Sequence, residues 1–149
     1  GLEPAWDNVI FDSPALGYVV ATHQSLRTHV PRTVWTYYWA LAHAPAAEAR
    51  RWLLDQSWAR LATSILDDLS RAHPDIRDCV RRLDILRLGH AMPRPTVGFL
   101  ANDARRRARA QRDGLYFAHS DVSRLALFEE AQERGVTAAD AALGRVGGR

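Results

Sequence analysis

The apolar pattern changes period part-way along the chain, and that change fixes the fold class. From Thr33 to Ala40 it alternates, with Val34, Thr36 and Tyr38 on one face and Trp35, Tyr37 and Trp39 on the other, the spacing of a β-strand. From Ala46 to Ala72 it lengthens to steps of three and four, so that Leu54, Trp58, Leu61, Ile65 and Leu69 form one face of an amphipathic helix. His73-Pro74 ends that helix, because the residue before proline is pushed out of the α region. Both periods in so short a span give an α+β chain, with an antiparallel or mixed sheet and a long amphipathic helix.

The flanking segments extend this picture. Asn8 to Asp12 reads as extended ahead of the turn signal Ser13-Pro14, and Leu16 to Thr22 is short, β-branched and aromatic, hence a strand. Asp75 to Cys79 adds a helical turn and Val80 to Leu88 a further strand, before the prolines of Gly89 to Pro95 interrupt regular structure. Asn102 to Asp113 is a basic, Ala-rich connection. Leu115 to Ala118 is a buried-strand candidate, His119 to Ser123 a polar turn, and Leu125 to Leu143 a helix with Phe128, Ala131, Val136, Ala139 and Leu143 as its apolar face. The Gly-rich tail from Gly144 is expected to fray.

Charge and composition exclude several classes. All 20 basic residues are arginine, yet the net charge is only +3, too small to demand nucleic acid. The run Arg105, Arg106, Arg107, Arg109 and Arg112 lacks interleaved aromatics and reads as a solvated surface, so no nucleic-acid partner is expected. No apolar stretch approaches the roughly 18 residues of a membrane span. Cys79 is the single cysteine, which excludes an internal disulfide and fits a reducing, cytoplasmic setting. The six histidines form no HExxH, so no metal is expected, and His119 and Asp121 have no nucleophile motif beside them. The start, Gly1-Leu2-Glu3-Pro4, shows neither a leader nor an initiator Met, as in a trimmed or partial chain.

The segment Leu115 to Ala142 holds most of the functional information. A strand leads into a turn bearing Asp121, and a helix then starts, so its free N–H groups and positive dipole end face whatever lies beyond the strand. Open α/β sheets bind nucleotides at that place. Ser123 or Asp121 is positioned to cap the helix, and Gly135 inside it suggests close packing against another backbone. The same pattern also describes α/β proteins that bind nothing there.

Leu115-Tyr116-Phe117-Ala118-His119-Ser120-Asp121, with Phe128-Glu129-Glu130-Ala131 and Gly135-Val136-Thr137-Ala138-Ala139, resembles the carboxy-terminal signature of flavin amine oxidases and related desaturases. Leu88 to Pro95, Leu16 to Gln24 and Thr33 to Leu41 are similar to substrate-domain strands of bacterial, NAD(P)-binding-like members of that group. Ser120 stands where the family has Gly before the acid, Glu130 replaces the Gly of Glu-Gly-Ala, and Arg124 occupies a turn where small residues are commoner.

The resemblance implies a fragment of a two-domain FAD-binding α/β oxidoreductase. Residues 1–112 are then a partial substrate-binding domain, 113–144 the carboxy-terminal strand–turn–helix of the FAD domain, and 145–149 a flexible tail. Ser120, Asp121, Leu127, Phe128 and Ala131 would lie against FAD, with the Asp121 carboxylate on the ribityl–pyrophosphate part and backbone N–H groups near Leu127 and Phe128 at the pyrimidine edge. His90, Trp35 and Tyr37 would line the side of a small-molecule substrate, although a structural hydrogen bond accounts better for His90, and core packing at least as well for Trp35 and Tyr37. The expected reaction is oxidation of a C–N or C–C bond by hydride transfer to flavin; no catalytic residue is identified. No GxGxxG occurs, so the phosphate loop belongs to an amino-terminal FAD-binding segment not present here, and the chain alone is expected to be inactive. The alternative is a non-catalytic α+β module that binds a partner through its aromatic strand, or a degenerate remnant of such an enzyme.

Overall fold

The computed structural model describes residues 5–25, 30–110, 112, 114–123 and 125–147. His29 and Arg124 lie outside them. Packing divides the chain into two compact units, Gly1–Gly89 and His90–Arg149, so the expected boundary at 112/113 falls inside the second.

The first unit is α+β. Three short strands, β1 (Asp7–Asn8), β2 (Gly17–Val20) and β3 (Trp35–Tyr38), form an antiparallel sheet in the order β1-β2-β3. The register pairs Tyr18 with Tyr37 and Val20 with Trp35. Gly17 permits the tight approach of β1 to β2: its φ is 130°, and a Cβ there would stand 1.9 Å from the Asn8 carbonyl oxygen. Alternation then decides burial. Tyr18 and Val20 point inward and, with Trp35 and Tyr37 from β3, meet a helical layer.

That layer is not one helix. Residues Ala46–Asp55 form α1 and Trp58–Ala72 form α2, separated by Gln56 and Ser57 in extended conformation. The Ser57 hydroxyl accepts the Arg60 amide, an N-cap that starts a new helix inside the expected span. Leu61, Ile65 and Leu69 are buried as the spacing requires, while Leu54 and Trp58, on either side of the break, are exposed. The helix ends at Ala72 with His73 outside the α region, and Ile76–Cys79 forms α3, as expected. The core is Tyr18, Val20, Ile65, Leu69 and Ile76, bordered by Ile10, Trp35, Trp39, Val80 and Ile85.

The strand expected over Val80 to Leu88 does not form; that segment has no ladder. A side chain anchors it instead. The Arg87 guanidinium donates to the Gln56 carbonyl at 2.9 Å and reaches those of Leu53 and Leu54, groups that the end of α1 leaves without helical donors.

One buried carboxylate ties sheet to helix. Asp68 on α2 has a side chain 5% exposed. It accepts the Ser13 hydroxyl at 2.6 Å, the Tyr37 hydroxyl at 2.9 Å and the Arg71 guanidinium at 3.0 Å. Arg71 also donates to the carbonyls of Phe11 and Asp12, the latter at φ 53°, so the turn after β1 is held by the same group.

In the second unit, Asp103–Arg109 forms α4 and Phe128–Gly147 forms the 20-residue α5. The Ala-rich connection expected from Asn102 is therefore helical, because the Asn102 side chain accepts the Ala104 and Arg105 amides and caps it. The strand expected at Leu115 to Ala118 reduces to one isolated bridge, Arg112 with Leu115. Among the described residues no neighbouring strand is there to complete a ladder.

Removing the Asp68 carboxylate in Asp68→Ala leaves two hydroxyls and part of a guanidinium without their acceptor. Urea unfolding should show a loss on the order of 3 kcal/mol. A second expectation concerns pH. Burial foremost, then the hydrogen bond and charge of Asp68, push the Tyr37 hydroxyl above its ordinary range, while Ser13 and Arg71 oppose them less strongly. The folded state keeps this proton after the unfolded chain has begun to lose its own near about pH 10. The unfolded state then binds fewer protons, so this contribution is complete below about pH 10 and declines as pH rises further. Burial raises Tyr18 in the same direction. Urea midpoints between neutral pH and pH 11 should therefore fall more steeply for the wild type than for Tyr37→Phe.

Candidate functional site

The turn that carries Asp121 is built locally. Ser120–Val122 is a single 3-10 turn. His119 Nδ1 accepts the Asp121 amide at 3.1 Å, and the Ser123 hydroxyl, buried, donates to the Ser120 carbonyl at 2.8 Å. These bonds lock the backbone and leave the Asp121 side chain half-exposed. The carboxylate lies 3.4 Å from His119 Nδ1. That nitrogen already accepts a hydrogen bond from the amide, so in this tautomer it has no proton to offer Asp121.

Five expected cofactor residues fall on this turn and the start of α5, two elements that pack together. Ser120 is partly buried and Asp121 open. Leu127 and Phe128 are exposed, and the Ala131 amide makes the first helical bond, to the Leu127 carbonyl at 3.1 Å. His90, in the same unit, is exposed in a turn.

Trp35 and Tyr37 belong to the first unit, and both are engaged in its core. The Trp35 ring stacks on Tyr18 with centroids 4.5 Å apart and meets His73 edge-on at 4.9 Å, while the Tyr37 hydroxyl is bonded to Asp68. The more exposed aromatic of β3 is Tyr38, on the other face.

The face that α5 buries differs from the expected one. Phe128, Val136 and Leu143 are exposed, as is Val146, whereas Arg134 and Ala138 are buried. Arg134 and Ala138 lie on the inward side of α5, and the larger apolar side chains project away. Gly135 has open space where its Cβ would stand, so no backbone packs closely there among the described residues.

The first unit holds a concavity that sequence reading missed. It is an open groove of about 660 Å³, lined by residues 7–11 together with Tyr18, Arg71, Ala72 and His73. On its wall the Tyr18 hydroxyl and His73 Nε2 share a hydrogen bond of 2.5 Å. Paired, they offer a proton donor and acceptor beside apolar Ile10 and Phe11. The only signal in the sequence was Tyr18 on an alternating strand and His73 before Pro74, neither of which announces contact across 55 residues.

Among the described residues no three His, Cys, Asp or Glu side chains gather as a metal site, and no helix is long and apolar enough to cross a membrane. The open space at Gly135 generates an expectation. Gly135→Ala should stabilise this chain by up to about 1 kcal/mol in urea unfolding, the helix-propensity difference, with no steric penalty. No protein-family model, curated protein or solved structure gives a significant match to the chain.

Proposed function

We propose that the chain is the carboxy-terminal portion of an FAD-dependent oxidoreductase of amine-oxidase-like type, acting on a C–N or C–C bond of a small molecule and needing further residues to complete it. The observation that carries this reading is the rigid turn at Ser120–Val122, which presents the open Asp121 carboxylate just ahead of the long helix α5. When bound, the flavin supplies the hydride acceptor. The chain's part is to position it: Asp121 can accept hydrogen bonds from ribityl hydroxyls, and the backbone entering α5 faces the ring edge.

The residues present suit one edge of FAD only. Glu129 and Glu130 in the first turn of α5 disfavour a phosphate there, and the sequence has no glycine-rich loop for the ADP half. Several large apolar side chains, including Phe11, Leu86, Val97 and Phe128, are left open to solvent, as suits a chain that needs further residues to cover them.

The exposed row Phe128, Val136, Leu143 and Val146 also favours a second reading, a non-catalytic module that docks on a partner. The intact protein that contains this chain, purified from its own cells, distinguishes the two. A flavoprotein should be yellow and release FAD on denaturation, and Asp121→Ala should weaken FAD retention about tenfold, the worth of a hydrogen bond to a charged group. An intact protein that is colourless and takes up no added FAD removes the flavin reading and leaves the docking module.

A further inference from the structure

The whole net charge of the chain sits in its second unit. Residues 1–89 contain ten arginines and ten carboxylates, whereas residues 90–149 contain ten arginines and seven carboxylates. Two of those arginines are drawn inward. Arg134 on α5 is 6% exposed. Its Nε is fully buried, and its guanidinium has no hydrogen-bond or ion-pair partner among the described residues. Arg105 on α4 gives its terminal nitrogens to the Leu100 and Ser123 carbonyls and lies over the Phe99 ring at 5.4 Å, while its Nε is also buried and unbonded. Its acceptors are neutral, so its charge is not balanced either. Helices α4 and α5 both pack on the 3-10 turn Ser120–Val122.

Burial of an unpaired charge is costly, and most side chains avoid it by changing protonation state. Arginine cannot, because its guanidinium holds its proton throughout the accessible pH range. Arg134, with its Nε buried and its terminal nitrogens unpaired among the described residues, is therefore suited to take an anion. No carboxylate among the described residues pairs with it: Asp103 is paired with Arg106, Asp121 and Glu129 are open to solvent, and Glu130, one turn before Arg134 on α5, makes no ion pair with it. The planar fork of a guanidinium is matched by two oxygens of one oxyanion.

We propose that Arg134 on α5 is the ligating residue of an oxyanion site, and that it takes a phosphate or carboxylate group of a small ligand. Arg105, in the same unit, adds positive potential. The site stands independently of the flavin reading.

Thermal melting of the full chain at fixed ionic strength tests it, with low-millimolar phosphate or acetate replacing chloride. An anion that binds only the folded form raises the melting temperature. A rise of several degrees is expected with at least one of the two; phosphate assigns a phosphate ligand and acetate a carboxylate. Arg134→Met keeps the stem without the charge; it should melt above wild type in chloride and gain nothing from either anion. Arg134→Lys keeps the charge without the fork and should lose most of the gain, which decides the matter if Arg134→Met fails to fold. A missing rise in wild type overturns the site, as does a full rise in either variant. An anion effect through Arg134 in a chain that ignores FAD upholds this site while counting nothing toward the flavin.

Discussion

The Asp68 carboxylate is the constraint on which the first unit depends. A charge removed from water inside a small domain is tolerated only when donors surround it. Here they come from three parts of the chain: Ser13 in the turn after β1, Tyr37 on β3 and Arg71 one turn further along α2. The same ion thus sets how the sheet lies on the helix. Arg71 passes the constraint on, because its remaining hydrogen bonds hold the Phe11 and Asp12 carbonyls. The concavity beside Tyr18 and His73 owes its shape to that clamp, since Phe11 and Arg71 both line it.

Periodicity made part of this legible. The alternation over Thr33 to Ala40 located β3, and the three-four spacing of Leu61, Ile65 and Leu69 located the face of α2. What it did not reveal were interactions that interrupt a pattern. Ser57 caps a helix inside an unbroken apolar stripe, so one expected helix became two. Asn102 did the reverse, turning a basic connection into α4. Two expected strands failed because a strand is a property of pairs. Val80 to Leu88 and Leu115 to Ala118 have suitable residues but no neighbour with which to share a ladder, apart from the bridge at Arg112 and Leu115.

The Asp121 region was legible in a different way. Its turn could be placed from polar residues between two apolar runs, and the structure puts a 3-10 turn there. The orientation of α5 could not be inferred, because an apolar stripe identifies the face that wants a partner and not the face that finds one. Tyr18, Arg71 and His73 escaped notice for a related reason. Each is unremarkable in sequence, and they come together only when the sheet closes on α2.

The exposed apolar row of α5 also bears on the order in which the chain assembles. In proteins most helical stability comes from tertiary packing, and the interior glycines Gly135 and Gly144 lower the propensity of this helix. The first unit, by contrast, has a closed core drawn from residues 10–85. During synthesis that core can close before α5 has left the ribosome. Helix α5 instead finds its packing in its own unit, on the 3-10 turn Ser120–Val122, so the two units can become ordered at different times.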